Sequence, residues 1–372
     1  MLNQDNFQIG GEMKTSTHQA RRAKALQALV EPGVGAVLVT NRHNVRYLTG
    51  FTGSNGMVLL SANSEAILYT DPRYTVQSKQ QADCNIRIAR GPLTKTVAKD
   101  VAGARYRKIG FEQDHLSVAQ FGALKNLFPP RVELRPLSGV VEQLRMVKDE
   151  GEIAMIRSSV MLNSAALEAA LKRLKPGMSE ADLALEIDYQ SRKLGAEGTA
   201  FDTIVAAGRR AALPHAHPGS AKIEAGMLLI DMGAFREGYA SDMSRMIHLG
   251  PPKPRYKKAY KAVLEAQLAA IDAVRPGGKS IAPDRAARRV LKSYGLEKEF
   301  IHSTGHGLGL EIHEPPRLGK QDKTILEPGM AITIEPGIYI EGWGGIRIED
   351  TVLVTATGYE IMTPTSKDLR VF

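Results

Sequence analysis

Cysteine is almost absent from this 372-residue chain, and the single one, Cys84, excludes an intramolecular disulfide and leaves a buried, inert thiol as the expectation. Long apolar runs are missing too. No stretch approaches the ~18 consecutive apolar residues of a membrane-spanning helix, and the opening MLNQDNFQIGGEMKTST lacks the apolar core of a signal peptide. A cytoplasmic protein is expected, with Met13 as an alternative start. Charge of one sign is not concentrated either. The balance of 49 basic and 40 acidic residues leaves +9, but the cations are scattered and the densest cluster read here is RRAK, Arg21 to Lys24. A nucleic-acid partner needs basic residues gathered on one face, so none is expected.

What is present is ample core material: 43% of residues are hydrophobic and only 24% charged. At this length the chain suits two domains. Residues 1–17 are polar and aperiodic, expected as a loose tail. From residue 18 to 140, helical stretches such as ARRAKALQALV alternate with strands such as GAVLVT, AILYT and KIGFE, the pattern of an α/β domain. The proline-bearing FPPRVELRPL reads as a loop and an edge strand. The charged stretch LRMVKDEGEIAMIRSS opens a second domain over 144–372, with Ile153, Ile156, Met161, Leu162 and Ala165 marking a helix face.

The second domain repeats itself. Lys175–Gly177 recurs as Arg275–Gly277 and Gly195 as Gly295, each 100 residues on, while EAGMLLID (Glu224 to Asp231) is echoed by EPGMAITIE (Glu327 to Glu335). Two αβ halves related by duplication are expected, each delivering a carboxylate at the end of an apolar strand. Asp242 follows Asp231 by eleven residues, and Glu349 follows Glu335 by fourteen. Carboxylates embedded in apolar strands are costly unless paired or metal-bound. Ion pairing with Arg245 and Arg347 is one solution; adding an imidazole from HSTGHGLGLEIHE makes a second, a thiolate-free oxygen-rich set suited to two divalent cations such as Mn²⁺, Co²⁺ or Zn²⁺.

The ordered motifs LPH, LLIDMGA, SDMSR, HSTGHGLGLEIHEPPRL, LEPGMAITIEPGIYI and GGIRIED resemble the creatinase/aminopeptidase ("pita-bread") metallopeptidases, in their Xaa-Pro aminopeptidase and prolidase branch. VRYLTGFTGS and TDPRYTVQ extend the resemblance to the N-terminal domain. The resemblance implies a mixed α/β (α+β) chain, a creatinase-like N-terminal domain followed by a pita-bread domain. It implies Asp231, Asp242, His306, Glu335 and Glu349 as ligands of two metal ions, most plausibly Mn²⁺, with Asp242 and Glu349 bridging. His302 is then expected to line the proline-side pocket, His215 to bind near the scissile amide and His313 to stabilise the tetrahedral intermediate. Glu335 is expected to shuttle the proton, and Arg347 to orient carboxylates beside the substrate. The glycines flanking His306 are read as letting backbone approach the metals, and His217 as a surface side chain. Phe201 stands where some relatives carry a tyrosine.

The activity implied is hydrolysis between an N-terminal residue and a following proline by a metal-bridged hydroxide, an Xaa-Pro aminopeptidase. The alternative within the family is an Xaa-Pro dipeptidase, and outside it a retired enzyme serving as a protein-binding module. Peptides with proline second are the expected substrates. A homodimer is expected, with Arg73 and Tyr74 of TDPRY bounding the substrate groove of the other subunit.

Overall fold

The computed structural model describes residues 17–28, 33–62, 65–175 and 177–372. Of the expected tail only Thr17 is among them, and it opens the helix Thr17–Gln27. Pro176, the centre of the first Pro-Gly turn, lies outside the described residues. The chain divides into two compact units, Met1–Leu144 and Arg145–Phe372.

In the first unit a six-stranded mixed sheet runs in the order Asn85–Ile88, Ala66–Thr70, Gly56–Ser61, Ala36–Val39, Lys108–Glu112, Glu133–Leu137. The proline-bearing strand is at the edge, where a missing N–H costs no ladder bond. Leu38, Leu59, Ile109 and Phe111 of the sheet pack with Val97, Val101 and Leu124 of the helices Leu93–Gly103 and Val118–Leu127. Cys84 is half-buried, and burial pushes its thiol up to about 11, so it stays protonated.

The second unit builds the same motif twice. A helix pair, Glu150–Leu171 and Glu180–Lys193, is followed by a sheet containing Ile204–Ala207, Gly226–Met232 and Met243–Leu249. A second pair, Pro254–Asp272 and Ile281–Ser293, is followed by a sheet ordered Glu314–Leu318, Gly305–Gly307, Ala331–Ile334, Asp350–Val354, Tyr359–Ile361. The helices Glu180–Lys193 and Ile281–Ser293 are each followed by a left-handed glycine, Gly195 and Gly295, as the repeat in the sequence predicts.

The long helix of the charged stretch spans Glu150–Leu171. Asp149 caps it through a reciprocal box with Glu152, so residues before 150 lie outside it. The expected apolar face is wrong in part. Met161 is 52% exposed and Ala165 is exposed, whereas Ser159 and Asn163 are buried, donating to the carbonyls of Ala234 and Met232 at 2.8 and 2.9 Å. Two hydrogen bonds to strand carbonyls make that polar face buriable, which hydropathy does not reveal.

Strand alternation then sets up the site. Leu228, Ile230 and Met232 pack with Leu167, Leu183 and Ile187 of the first helix pair, so Asp231 points to the opposite face. In the antiparallel ladder Ser244 sits opposite Asp231 and Met243 opposite Met232, which brings Asp242 to the same end. The second half repeats this: Ile334 pairs with Asp350, placing Glu335 and Glu349 together just beyond the ladder.

Candidate active site

The four carboxylates and His306 line one cavity of about 550 Å³, together with His215, His302, His313, Arg317, Tyr339 and Arg347. Asp242 is 5% exposed and Glu349 1%, so these charges are out of water. Donor atoms of Asp242, His306 and Glu349 all lie within 4.8 Å of one another.

Among the described residues one guanidinium, that of Arg347, is bonded to this acidic cluster. Arg347 donates through Nη2 to Asp231 Oδ2 at 2.5 Å, through Nε to Ser244 Oγ at 2.8 Å and through Nη1 to Tyr339 Oη at 2.6 Å. Ser244 Oγ passes the link on to Glu349 Oε2 at 2.9 Å. Arg245, the other expected partner, is turned away and pairs with Asp350 at 2.8 Å. Among the described residues a single cation therefore bonds within this set of four carboxylates, three buried and one, Glu335, partly so, and Asp231 Oδ1 is buried with no hydrogen-bond partner among them. Burial, reinforced by the mutual repulsion of the carboxylates, holds Asp242 and Glu349 well above the usual carboxylate range. Burial, with the Asp231 charge adding to it, pushes Glu335 up to about 7.

His306 supplies the sharpest test of whether a metal fits. Its Nδ1 lies 3.0 Å from the carbonyl oxygen of Gly307, which can only accept, so Nδ1 carries the proton. Burial lowers the ring's pKa to about 4, leaving Nε2 bare at neutral pH. That bare nitrogen sits 3.5 Å from both Asp242 Oδ2 and Glu335 Oε1. Lone pairs aimed at one another across such distances call for a cation between them, and a ring N–H fixed on a backbone carbonyl is how ligating histidines are oriented. The residues present fit divalent metal ions.

The glycines beside His306 have a different task from the one expected. A side chain at Gly305 would strike the carbonyl oxygen of Thr333, and one at Gly307 that of Pro315. They let the His306 strand fit between its two neighbours; the close approach is to protein backbone, not to the metal site.

The remaining histidines are separately held. His302 Nε2 lies 3.0 Å from Tyr339 Oη and Nδ1 2.8 Å from the Ser303 carbonyl; burial, then the Arg347 charge, lowers it to about 4. The His313 ring meets His306 edge-on at 4.4 Å, and partial burial holds its pKa below the ordinary value. His215 lines the cavity from a loop tied down by buried Glu180, which accepts from Ala207 N and Arg210 Nε, while Arg210 Nη2 reaches the His217 carbonyl at 2.7 Å. The His217 side chain itself is exposed.

Sequence reasoning missed several parts. Tyr339 bridges Arg347 and His302, and burial pushes its phenol up to about 12, keeping it protonated. Arg317, in the quoted segment EIHEPPRL, lines the cavity with its guanidinium engaged only by Ser303 Oγ at 3.5 Å among the described residues. Behind His313, the Glu314 carboxylate is clamped by Arg145 at 2.5 Å and Lys148 at 3.3 Å, all three buried. Burial pushes Glu314 up, but the two cations outweigh it and hold it below its ordinary value. Arg73 and Tyr74 belong to the first unit. Arg73 is exposed and fork-bound to Asp71 at 2.9 Å through both Nε and Nη2; Tyr74 Oη lies 2.8 Å from Ser54 Oγ.

Residues 154–356 match the model of metallopeptidase family M24, and residues 21–147 the creatinase/prolidase N-terminal domain. The chain belongs to metallopeptidase family M24. It is similar to an Xaa-Pro dipeptidase from Pyrococcus horikoshii, 35% identical over 93% of this chain and 97% of that one. Among solved structures, an Xaa-Pro dipeptidase from Bacillus anthracis superposes with a TM-score of 0.92 and 40% identity, covering 95% of this chain and all 100% of that one. An X-Pro aminopeptidase from Thermotoga maritima gives 0.86 and 36%, covering 91% and 98%. As an M24 member the protein is a metallopeptidase hydrolase with the creatinase-like and pita-bread architecture, and the family implies divalent metal ions. No described helix is long and apolar enough to cross a membrane.

Proposed function

We propose that the protein is a metal-dependent Xaa-Pro dipeptidase. The observation that carries this reading is the convergence of Asp231, Asp242, His306, Glu335 and Glu349 with His215, His302 and His313 on one cavity, in a chain 35% identical to an Xaa-Pro dipeptidase. The sequence favours an aminopeptidase; the relatives favour the dipeptidase. A cavity of about 550 Å³ suits a short peptide. Arg317 gives it an in-chain cation for the proline carboxylate, bidentate recognition being the strength of arginine.

Asp231, Asp242, His306, Glu335 and Glu349 would hold two ions, Mn²⁺ being the first candidate. Such ions, when bound, acidify water and polarise the scissile carbonyl. Glu335 takes the proton of the attacking water on its carboxylate and passes it to the proline nitrogen as the C–N bond breaks. His313 stabilises the developing oxyanion and His215 holds the scissile amide, each through a ring N–H. His302, fixed by Tyr339, walls the proline pocket. Arg347 orients Asp231 and, through Ser244, Glu349. Arg73 or Tyr74 closes the groove of a second subunit in a homodimer, and the protein acts in the cytoplasm.

The test is to chelate the protein, reload it with Mn²⁺, and compare hydrolysis of Ala-Pro, Ala-Ala and Pro-Ala. Ala-Pro alone is expected to be cleaved quickly. Cleavage of Ala-Ala at the same rate, or persistence of the rate in chelator, would contradict the proposal.

A further inference from the structure

His302 stands in a segment, residues 300–304, that belongs to no helix or strand. Irregular backbone fixes a side chain in place only where something else bonds its carbonyls. Here that is Arg288, reaching in from the helix Ile281–Ser293. Its Nη1 donates to the Phe300 carbonyl at 2.9 Å and its Nη2 to the His302 carbonyl at 2.6 Å. One turn back on the same helix, Asp284 accepts from Arg288 Nε at 2.8 Å and from Nη2 at 3.2 Å. Every nitrogen of the guanidinium is thus engaged, and both residues are buried. Asp284 Oδ1 also accepts from Thr304 Oγ1 at 2.9 Å, so the pair grips the segment at residues 300, 302 and 304.

The ring of His302 is held as firmly as its backbone. The Arg288 guanidinium lies over the Phe300 ring, 4.2 Å from its centroid, and that ring meets His302 edge-on at 5.1 Å. Tyr339 packs on the same imidazole, ring centroids 5.4 Å apart. His302 Nδ1 faces the Ser303 carbonyl, which can only accept, so Nδ1 carries the proton and Nε2 accepts from the Tyr339 hydroxyl. Both ring nitrogens are therefore engaged inside the protein. What His302 brings to the cavity it lines is ring surface, useful only where it is placed.

The duplicated first half shows that the fold does not by itself require this arrangement. Its helix Glu180–Lys193 carries the same spacing, Asp188 followed by Arg192, and Asp188 likewise accepts from a threonine, Thr203 Oγ1 at 2.6 Å, just before the strand Ile204–Ala207. There the arginine is exposed and reaches the Glu197 carbonyl at 3.4 Å. Helix and sheet pack without an inward guanidinium. We propose that Arg288 is a positioning residue for proline selectivity: by fixing the Phe300 and His302 carbonyls and backing the Phe300 ring, it sets the His302 ring where it packs on a pyrrolidine better than on an open side chain. This rests on the Xaa-Pro reading above and deepens it.

The experiment compares the full, Mn²⁺-loaded protein with its Arg288→Gln, Arg288→Lys and Arg192→Gln variants on Ala-Pro and Ala-Ala. In Arg288→Gln the ratio of kcat/KM for Ala-Pro to that for Ala-Ala is expected to fall roughly fivefold or more, chiefly through a higher KM for Ala-Pro, with metal content unchanged. The ratio does not depend on how much of the sample is folded, so a merely structural role would leave it where it was. Arg288→Lys returns a charge beside Asp284 but no fork onto two carbonyls, so Tm should recover while the ratio stays low. Arg192→Gln should leave the ratio unchanged. A ratio that survives Arg288→Gln, is restored in Arg288→Lys, or falls equally in Arg192→Gln overturns the proposal. Should Arg288→Gln fold poorly, Phe300→Leu keeps the ion pair and removes the ring between it and His302; the ratio is expected to fall there too, and an unchanged one overturns the proposal. Should the unsubstituted protein fail to cleave Ala-Pro, the Xaa-Pro reading fails by itself. The ring-nitrogen NMR signals of His302 in the metal-free protein, assigned by their loss in His302→Gln, then decide the positioning role: a single Nδ1–H tautomer is expected, giving way to a mixture in Arg288→Gln, and identical signals in both overturn it.

Discussion

Arg347 Nη2 meets Asp231 Oδ2 at 2.5 Å, and among the described residues it is the one guanidinium bonded to any of the four carboxylates that line the cavity. Among the described residues, no other cation is bonded to the remaining carboxylates. That imbalance generates the first expectation. Asp242, Glu335 and Glu349 have carboxyl groups raised above the ordinary range, chiefly by burial, so in the metal-free fold they bind protons more tightly than in the unfolded chain. The metal-free protein should lose stability as pH rises from about 4.3, the ordinary carboxylate value, through about 7, the value for Glu335. Divalent metal should offset that loss, since ligands must be deprotonated to bind it. Calorimetric Tm at pH 5 and pH 8, with and without Mn²⁺, is expected to show a metal-induced rise that is larger at pH 8; an equal rise at both would refute the charge imbalance.

Asp242→Asn removes a carboxylate that faces both His306 and Glu349. Elemental analysis should find the metal content reduced and Ala-Pro hydrolysis lost. Retention of full metal would remove Asp242 from the ligand set.

His313→Ala separates chemistry from metal binding, because His313 lines the cavity and meets His306 ring to ring without belonging to the proposed ligand set. Metal content should be kept while kcat drops by roughly 10²- to 10³-fold, the usual cost of losing a transition-state donor. Loss of metal together with activity would make His313 a ligand.

The buried cluster behind His313 predicts a stability effect rather than a chemical one. Glu314→Gln leaves Arg145 and Lys148 buried without their shared carboxylate, which should destabilise the fold by about 3–5 kcal/mol. Urea unfolding at pH 7 measures it. A change under ~1 kcal/mol would mean the cluster relaxes into solvent.

Much of the site could be read from the chain before folding was considered. Asp231, Asp242, Glu335 and Glu349 stand out because ionised groups at the ends of apolar strands have few explanations; His306 is distinguished from the other histidines of its stretch only by the family resemblance. The parts that escaped notice are those whose role depends on a partner far along the chain. Ser244 looks like any strand serine until it is found between Arg347 and Glu349, and Tyr339 like core filler until its hydroxyl is seen between Arg347 and His302. The same reason explains the misread face of the long helix. Ser159 and Asn163 are buried because the Ala234 and Met232 carbonyls need donors, and nothing local announces that.

Assembly is open to a direct check. If Arg73 or Tyr74 bounds the groove of another subunit, light scattering should give a dimer, and Arg73→Ala should alter KM for Ala-Pro with metal content unchanged. A monomer with full activity would rule that arrangement out.

The account stands or falls on metal-dependent cleavage before proline at this cavity. The most direct measurement titrates chelated protein with Mn²⁺ while following the initial rate of Ala-Pro hydrolysis. The rate is expected to start at background and climb to a plateau near two equivalents of metal. A substantial rate in chelator, or no Ala-Pro hydrolysis at any metal concentration, would contradict it.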